Sequence, residues 1–281
     1  MGRNVNGGRD MQWLSEFLKY DFMKNALAAI LIITPLFGIL GTMIVNNKLA
    51  FFSDALGHSA FTGMAAGIIL GVTNQGLSMV IFGICFALLL NYIRRRGSVS
   101  NDTVISVFSS VSTAAGLVIL SMGGNFSQYS SLLVGDILSI RRSEILSLLI
   151  IFVITLLFWG SAFNKLLAAS LNPSLARSKG IRTALIENIF SVLIAVIVML
   201  SIRWVGVLII NALLILPAAS ARNIASNMRE YHLFSCLIAV FSGVNGLILS
   251  YFLNTAAGPT IVILSGTIFF LTLLTRKLVK Q

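Results

Sequence analysis

Residues 25–46 read NALAAILIITPLFGILGTMIVN, without one charged side chain. As an α-helix this run extends about 33 Å at ~1.5 Å per residue, enough to cross a hydrocarbon core of ~30 Å. Eight further apolar segments lie near 52–72, 76–93, 103–122, 143–161, 183–202, 204–221, 233–252 and 259–275. Only helices and closed barrels satisfy their backbone hydrogen bonds in lipid. The runs are continuous and lack the ten-residue alternation of barrel strands, which favours helices. Composition agrees: 57% of residues are hydrophobic, 10% are charged and the mean hydropathy is +0.95. An ordinary soluble domain has about 25% charged residues. The expected fold is all-α: a polytopic membrane helix bundle of eight or nine transmembrane helices.

The sequence divides into an N-terminal segment (1–24), a single membrane domain (25–276) and a basic tail (277–281). Trp13, Leu14, Phe17 and Leu18 share one face of a short amphipathic helix over 11–23. Residues 1–23 are mostly polar, so no signal peptide is expected. The less apolar stretch 126–140 suits an interfacial or re-entrant piece. Cys85 and Cys236 both fall in apolar runs and read as small core residues, not as a disulfide or metal pair.

The net charge is +11. In a soluble protein that excess would point to nucleic acid; here the basic residues occupy short loops, and the positive-inside rule accounts for them. Arg94, Arg95 and Arg96 form the densest cluster, so their loop is taken as cytoplasmic. Lys48, Lys165, Arg177, Lys179, Arg182, Arg222, Arg229, Arg276, Lys277 and Lys280 then fall on the same side, 13 basic residues against 7. With nine spans the N-terminus lies outside and the C-terminus inside.

The second segment carries the chemistry: Ser53-Asp54-Ala55-Leu56-Gly57-His58-Ser59-Ala60-Phe61-Thr62-Gly63. Asp54 and His58 are four apart, hence on one helical face, and Thr62 continues the stripe. An ionisable residue within a span is costly and is a functional candidate by default. A carboxylate oxygen beside an imidazole nitrogen suits Mn²⁺, Fe²⁺ or Zn²⁺. The competing reading is an Asp and a His near the interface, bonded to each other. Two ligands do not fill a site, so other oxygens, a second subunit or water must contribute. Ser59, Gly63, Gly67 and Gly71 form small-xxx-small steps that let another helix approach, which makes this helix central.

Elsewhere, Pro217 is expected to kink or end its helix. Asn211 must find a partner within the bilayer, and reads as an interhelical hydrogen bond before a ligand. The longest cytoplasmic loop, near 162–182, contains Asn172-Pro173-Ser174-Leu175-Ala176-Arg177-Ser178-Lys179-Gly180. Asn172 can cap a helix, Pro173 fits its first turn and Gly180 can end it. The result is a short helix, either a solvated connector or a docking element. No G-x-x-x-x-G-K-[ST] phosphate loop occurs, so the chain has no ATP site of that kind.

Several of these stretches together resemble the permease subunit of ABC transporters for zinc, manganese and iron. That family's second-span pattern Gly-Asp-Ala-Leu-Ser-His-Ala, then Leu-Pro-Gly, is met at Asp54, Ala55, Leu56, His58 and Gly63. Its Val-Gly-x-Leu-Leu-x-x-Ala-Leu-Leu-Ile-Leu-Pro-Ala-x-x-Ala pattern is close to 205–221. Leu133, Gly135, Ile137 and Leu138, and Ser250, Tyr251 and Gly258, resemble further elements. The likeness spans about 22–265. Departures are Thr62 for a Pro, Gly57 for a Ser and Asn172 for an Asp.

The resemblance implies a type II ABC importer-like permease in the cytoplasmic membrane of a prokaryote. It implies two permease copies, two cytoplasmic ATPase subunits docked near 171–180 through Pro173, Leu175, Ala176 and Gly180, and an extracytoplasmic metal-binding lipoprotein or periplasmic protein. Asp54 and His58 would line the metal path, the transported ion being manganese, zinc or iron with no permanently bound cofactor. The chain itself would be no enzyme. The alternative is a stand-alone ion-coupled secondary metal transporter, which commonly shows paired broken helices in two related halves; no such repeat is apparent. An intramembrane enzyme ranks last, because only two histidines exist.

Overall fold

The computed structural model describes residues 19–96, 100–122, 132–133 and 135–279, with side chains as far as Arg276. Residues 11–18 of the segment 11–23, and 126–131 and 134 of the segment 126–140, lie outside the described residues. Among those described there is no strand. The helices are α1 (Asp21–Asn46), α2 (Ala50–Ile69), α3 (Gln75–Arg96), α4 (Asn101–Met122), α5 (Arg142–Leu171), α6 (Pro173–Ser178), α7 (Thr183–Val205), α8 (Val207–Ile224), α9 (Met228–Leu253) and α10 (Ala257–Val279). Eight of them are long and apolar enough to span a bilayer. Of the long helices, α2 alone falls short, because Asp54, His58, two serines and a threonine dilute its hydropathy. It is nevertheless deeply packed: Phe52, Ala55, Leu56, Ser59, Ala60 and Ala65 are at most 1% exposed.

α1, α7 and α8 form the centre of the bundle with α2. The apolar window of α1 is 67% buried, against 17% for each of α4, α5 and α10 at the periphery. Phe37, Met43, Phe52 and Phe190 of these helices, and Met79 of α3, are fully buried. α1 packs against α9, α8 and α5; α2 against α4 and α3; α3 against α7; α10 against α8 and α9.

The boundaries differ from expectation in instructive places. α5 runs to Leu171, so the connector to α7 is shorter than the 162–182 read from sequence. Residues 162–171 are mostly helix formers, and the helix stops where the Pro173 ring disfavours helical geometry at Asn172. α8 continues through Pro217 to Ile224 without a break. The break comes instead at Gly206, whose φ of 83° and ψ of 155° turn the chain from α7 into α8. Gly135, also at positive φ, sits against that corner: a Cβ there would lie 2.3 Å from the Val205 carbonyl carbon. Cys85 is exposed on α3, not a core residue; Cys236 is half-buried, and both are free.

At one end the α1–α2 turn, the arginines of α3, Pro173 and the start of α7 converge. Arg95 Nη2 donates to the Ala184 carbonyl at 2.8 Å and pairs with Glu187 at 3.1 Å. Asn91 Nδ2 donates to Ser191 and to Asn188. At the opposite end the Asn25 amide donates to the Ile140 carbonyl, closing the start of α1 against the chain entering α5.

Candidate functional site

The α1–α2 turn launches the site helix. Lys48 takes a φ of 56°, and the Leu49 N–H returns to the Ile44 carbonyl at 2.8 Å. Asp54 and His58 follow one and two turns into α2. Asp54 Oδ1 lies 3.7 Å from His58 Nε2, and the two side chains stay 45% and 32% exposed. That separation is too long for a hydrogen bond. A tetrahedral ion with bonds of 2.0–2.2 Å holds its ligands about 3.4 Å apart, so the gap is ion-sized.

Asn211, one turn into α8, donates from Nδ2 to Asp54 Oδ1 at 2.5 Å. It is the interhelical hydrogen bond expected of a buried Asn, with a partner the sequence did not indicate. Its Oδ1 is buried and has no hydrogen-bond partner among the described residues. Gly57 supplies the clearance: a Cβ there would lie 3.0 Å from Val207 Cγ1 and 3.7–3.8 Å from both ends of the Asn211 amide. Counting from Lys48 puts Asp54 near the basic end of the bundle. Its bond to Asn211 places it also beside the first turn of α8, just past the Gly206 corner.

The facing wall comes from α4. Ser106, Ser109, Ser110 and Thr113 line a cavity of about 510 Å³ together with Phe51, Asp54 and His58. These four hydroxyls recur at i, i+3, i+4 and i+7, one face of a helix. The spacing was readable in the sequence, but a serine stripe in an apolar run carries no charge to draw attention. Among the described residues no group of three His, Cys, Asp or Glu side chains is close enough to hold a metal. His232 does not join the site. It packs on Trp159 and Phe163, and its ring nitrogens face the Met228 carbonyl at 2.6 Å and Thr42 Oγ1 at 3.2 Å.

A second cavity of about 230 Å³ lies at the basic end, among Asn46, Lys48, Arg94, Pro173 and Glu187. Arg94 Nη1 there donates to Asn91 and Glu187 pairs with Arg95, while Arg94 Nε is buried with no hydrogen-bond partner among the described residues.

The remaining residues singled out by sequence separate by role. Ser59 is fully buried and donates to the Leu56 carbonyl. Gly63 and Gly67 touch α3, where a Cβ would lie 3.0 Å from Met79 Cα and 2.4 Å from Ser78 Oγ. Gly71 differs: it follows the helix at a φ of 68° with nothing within 4 Å, so it serves the turn and not the packing seam. In the connector, Asn172 accepts from the Leu175 N–H, Pro173 opens α6, and Gly180 takes a φ of 78°. Leu175 is 54% exposed while Ala176 is 1% exposed.

A bundle of this length and apolarity, with a polar cleft between its central and peripheral helices, is that of a polytopic membrane transport subunit. The chain belongs to the ABC 3 transport family, whose profile matches residues 19–276. It is 32% identical over 263 residues to the high-affinity zinc uptake system membrane protein ZnuB of Haemophilus influenzae, covering 92% of this chain and 99% of that protein. It is 25% identical over 264 residues to the manganese transport system membrane protein MntC of Listeria monocytogenes, covering 94% of each. Among solved structures it is similar to PsaBC from Streptococcus pneumoniae in complex with Fab, with a TM-score of 0.82, 25% identity, and coverage of 94% of this chain and 95% of that one. Membership of this family sets aside the stand-alone secondary transporter.

Proposed function

We propose that this chain is the membrane permease of an ABC importer for a divalent transition metal, manganese, zinc or iron, and that Asp54 and His58 line its path. The observation carrying the proposal is the 3.7 Å gap between Asp54 Oδ1 and His58 Nε2, open to a hydroxyl-lined cavity. The zinc and manganese systems named for its relatives support the cargo class. A carboxylate, an imidazole and hydroxyls, with no thiolate at the cleft, suit such ions better than Cu⁺. The metal is cargo, so an incomplete ligand set is useful: a site that is too complete would not release it.

In this reading the basic end faces the cytoplasm of a prokaryotic cell, consistent with the positive-inside rule. The exposed Leu175 on α6 docks a separate ATPase subunit, whose ATP turnover moves the permease between outward and inward access. A metal-binding lipoprotein or periplasmic protein delivers the ion at the other end. A second copy of the chain faces the open side of the cavity, where α4 is only 17% buried.

The test is uptake of ⁵⁴Mn²⁺ and ⁶⁵Zn²⁺ by cells producing the full transporter. Asp54→Ala and His58→Ala are expected to abolish uptake at unchanged membrane abundance. Normal accumulation in both variants, or robust flux from the isolated chain in liposomes, overturns the proposal.

A further inference from the structure

Three features of the cleft converge on one side chain. The Asn211 amide grips Asp54 by its nitrogen end, its oxygen end is buried with no partner among the described residues, and Gly57 leaves space beside both ends. An ionised carboxylate only accepts hydrogen bonds, so the NH₂ end must face Asp54 while the site is empty. This leaves a desolvated carbonyl oxygen whose hydration is not replaced. Oxygen and nitrogen of an amide are nearly equal in size, and Gly57 lies about equally far from both. A half-turn of the amide therefore needs no new room.

We infer that Asn211 is a third protein ligand to the transported ion: when a divalent metal occupies the Asp54–His58 gap, the amide turns over and presents Oδ1 to it. The inference rests on the reading of Asp54 and His58 as path residues. Once the carboxylate is bound to a cation it no longer needs the amide N–H, and the oxygen that was orphaned gains a partner. The flip exchanges a donor for a neutral acceptor at one point in space. A carboxylate, an imidazole and an amide oxygen make a mixed set that hard, oxygen-preferring Mn²⁺ tolerates better than a thiolate site would. Because Asn211 comes from α8 and its partners from α2, loading the site also exchanges the direct Asp54–Asn211 hydrogen bond for a metal-bridged contact between the two helices.

The experiment measures Mn²⁺ binding to the full-length permease in lipid nanodiscs, from the EPR signal of free Mn²⁺, with thermal melting alongside. Asn211→Leu, which keeps the branched skeleton and removes both polar ends, is expected to weaken binding about tenfold, as loss of a supporting group at a metal site does. Asn211→Asp, which presents oxygen at both ends, is expected to bind Mn²⁺ at least as well as the wild type. It should melt lower than the wild type without metal, since two acceptors then face each other, and recover when Mn²⁺ is added. If Asn211→Leu does not fold, Asn211→Asp still decides. Asn211→Asp binding weakly overturns the ligand role and leaves Asn211 only as a positioning residue for Asp54. Unchanged binding in Asn211→Leu, with binding lost in Asp54→Ala, overturns this inference and spares the underlying one. A wild type that neither binds Mn²⁺ nor melts higher when Zn²⁺ is added overturns both.

Discussion

Gly116 of α4 lies directly against the backbone of Thr62 in α2: a Cβ at residue 116 would be 2.5 Å from the Thr62 amide nitrogen and 2.7 Å from the Phe61 carbonyl carbon. Thr62 and Ser112 are also hydrogen-bonded through their hydroxyls at 3.1 Å. Here the two helices whose faces enclose the cleft meet backbone to backbone. The atoms in the way are backbone, so no side-chain rotation relieves the clash.

Gly116→Ala is therefore expected to push α4 from α2 and to destabilise the permease by roughly 1–3 kcal/mol, the usual cost of overpacking. Metal uptake should fall with it, because the walls separate. Gly160→Ala on α5, where nothing lies within 4 Å, is the control and should leave the melting temperature unchanged or raise it. Thermal melting in detergent compares the pair. Equal melting of the two variants would contradict the packing argument.

The hydroxyl wall makes a second prediction. Ser109→Ala and Thr113→Val together remove two polar groups from the cavity but little volume. Thr113 already donates to the Ser109 carbonyl at 2.7 Å, so its oxygen lone pairs are what it offers the cleft. Uptake should decline severalfold, roughly in the 10-fold range seen when outer-shell groups of a metal site are lost, with membrane abundance unaltered. Ser109→Leu, which also fills the space, should reduce uptake further. Uptake equal to the wild type in both would mean that α4 is only a lid on the cavity.

The connector makes a third. Leu175 and Ala176 are adjacent but differently placed, 54% and 1% exposed. Leu175→Ala should leave stability within about 0.5 kcal/mol, as for other surface changes, yet weaken co-purification of the ATPase subunit and cut uptake. Ala176→Leu should instead destabilise the connector itself. Asn172→Ala removes the cap on the Leu175 N–H and should cost about 1 kcal/mol. If Leu175→Ala retains full ATPase binding and uptake, docking lies elsewhere.

Much of this protein was legible in one dimension. The nine apolar segments correspond to nine long helices among the described residues, and the caps read at Asn172, Pro173 and Gly180 are present. What failed had local physical causes. Nothing in 162–171 except Lys165 announces a loop, so α5 overran its expected end. Gly71 continues a four-residue spacing but lies past the last helical turn, where spacing no longer means a shared face. Pro217 does not end its helix, one of the two outcomes expected of it: α8 runs through it to Ile224, packed against α10, α9 and α1.

From sequence alone came the membrane location, the all-α class and the choice of Asp54 and His58. These follow from run length, hydropathy and a spacing of four, all properties of one helix at a time. The tertiary structure decided what meets the pair. Asn211 is 157 residues from Asp54, and the α4 hydroxyls come from another helix again. Their convergence depends on how closely helices approach at Gly57 and Gly116 and on where the chain turns at Gly206. Those contacts are set by packing between helices, which no single segment encodes.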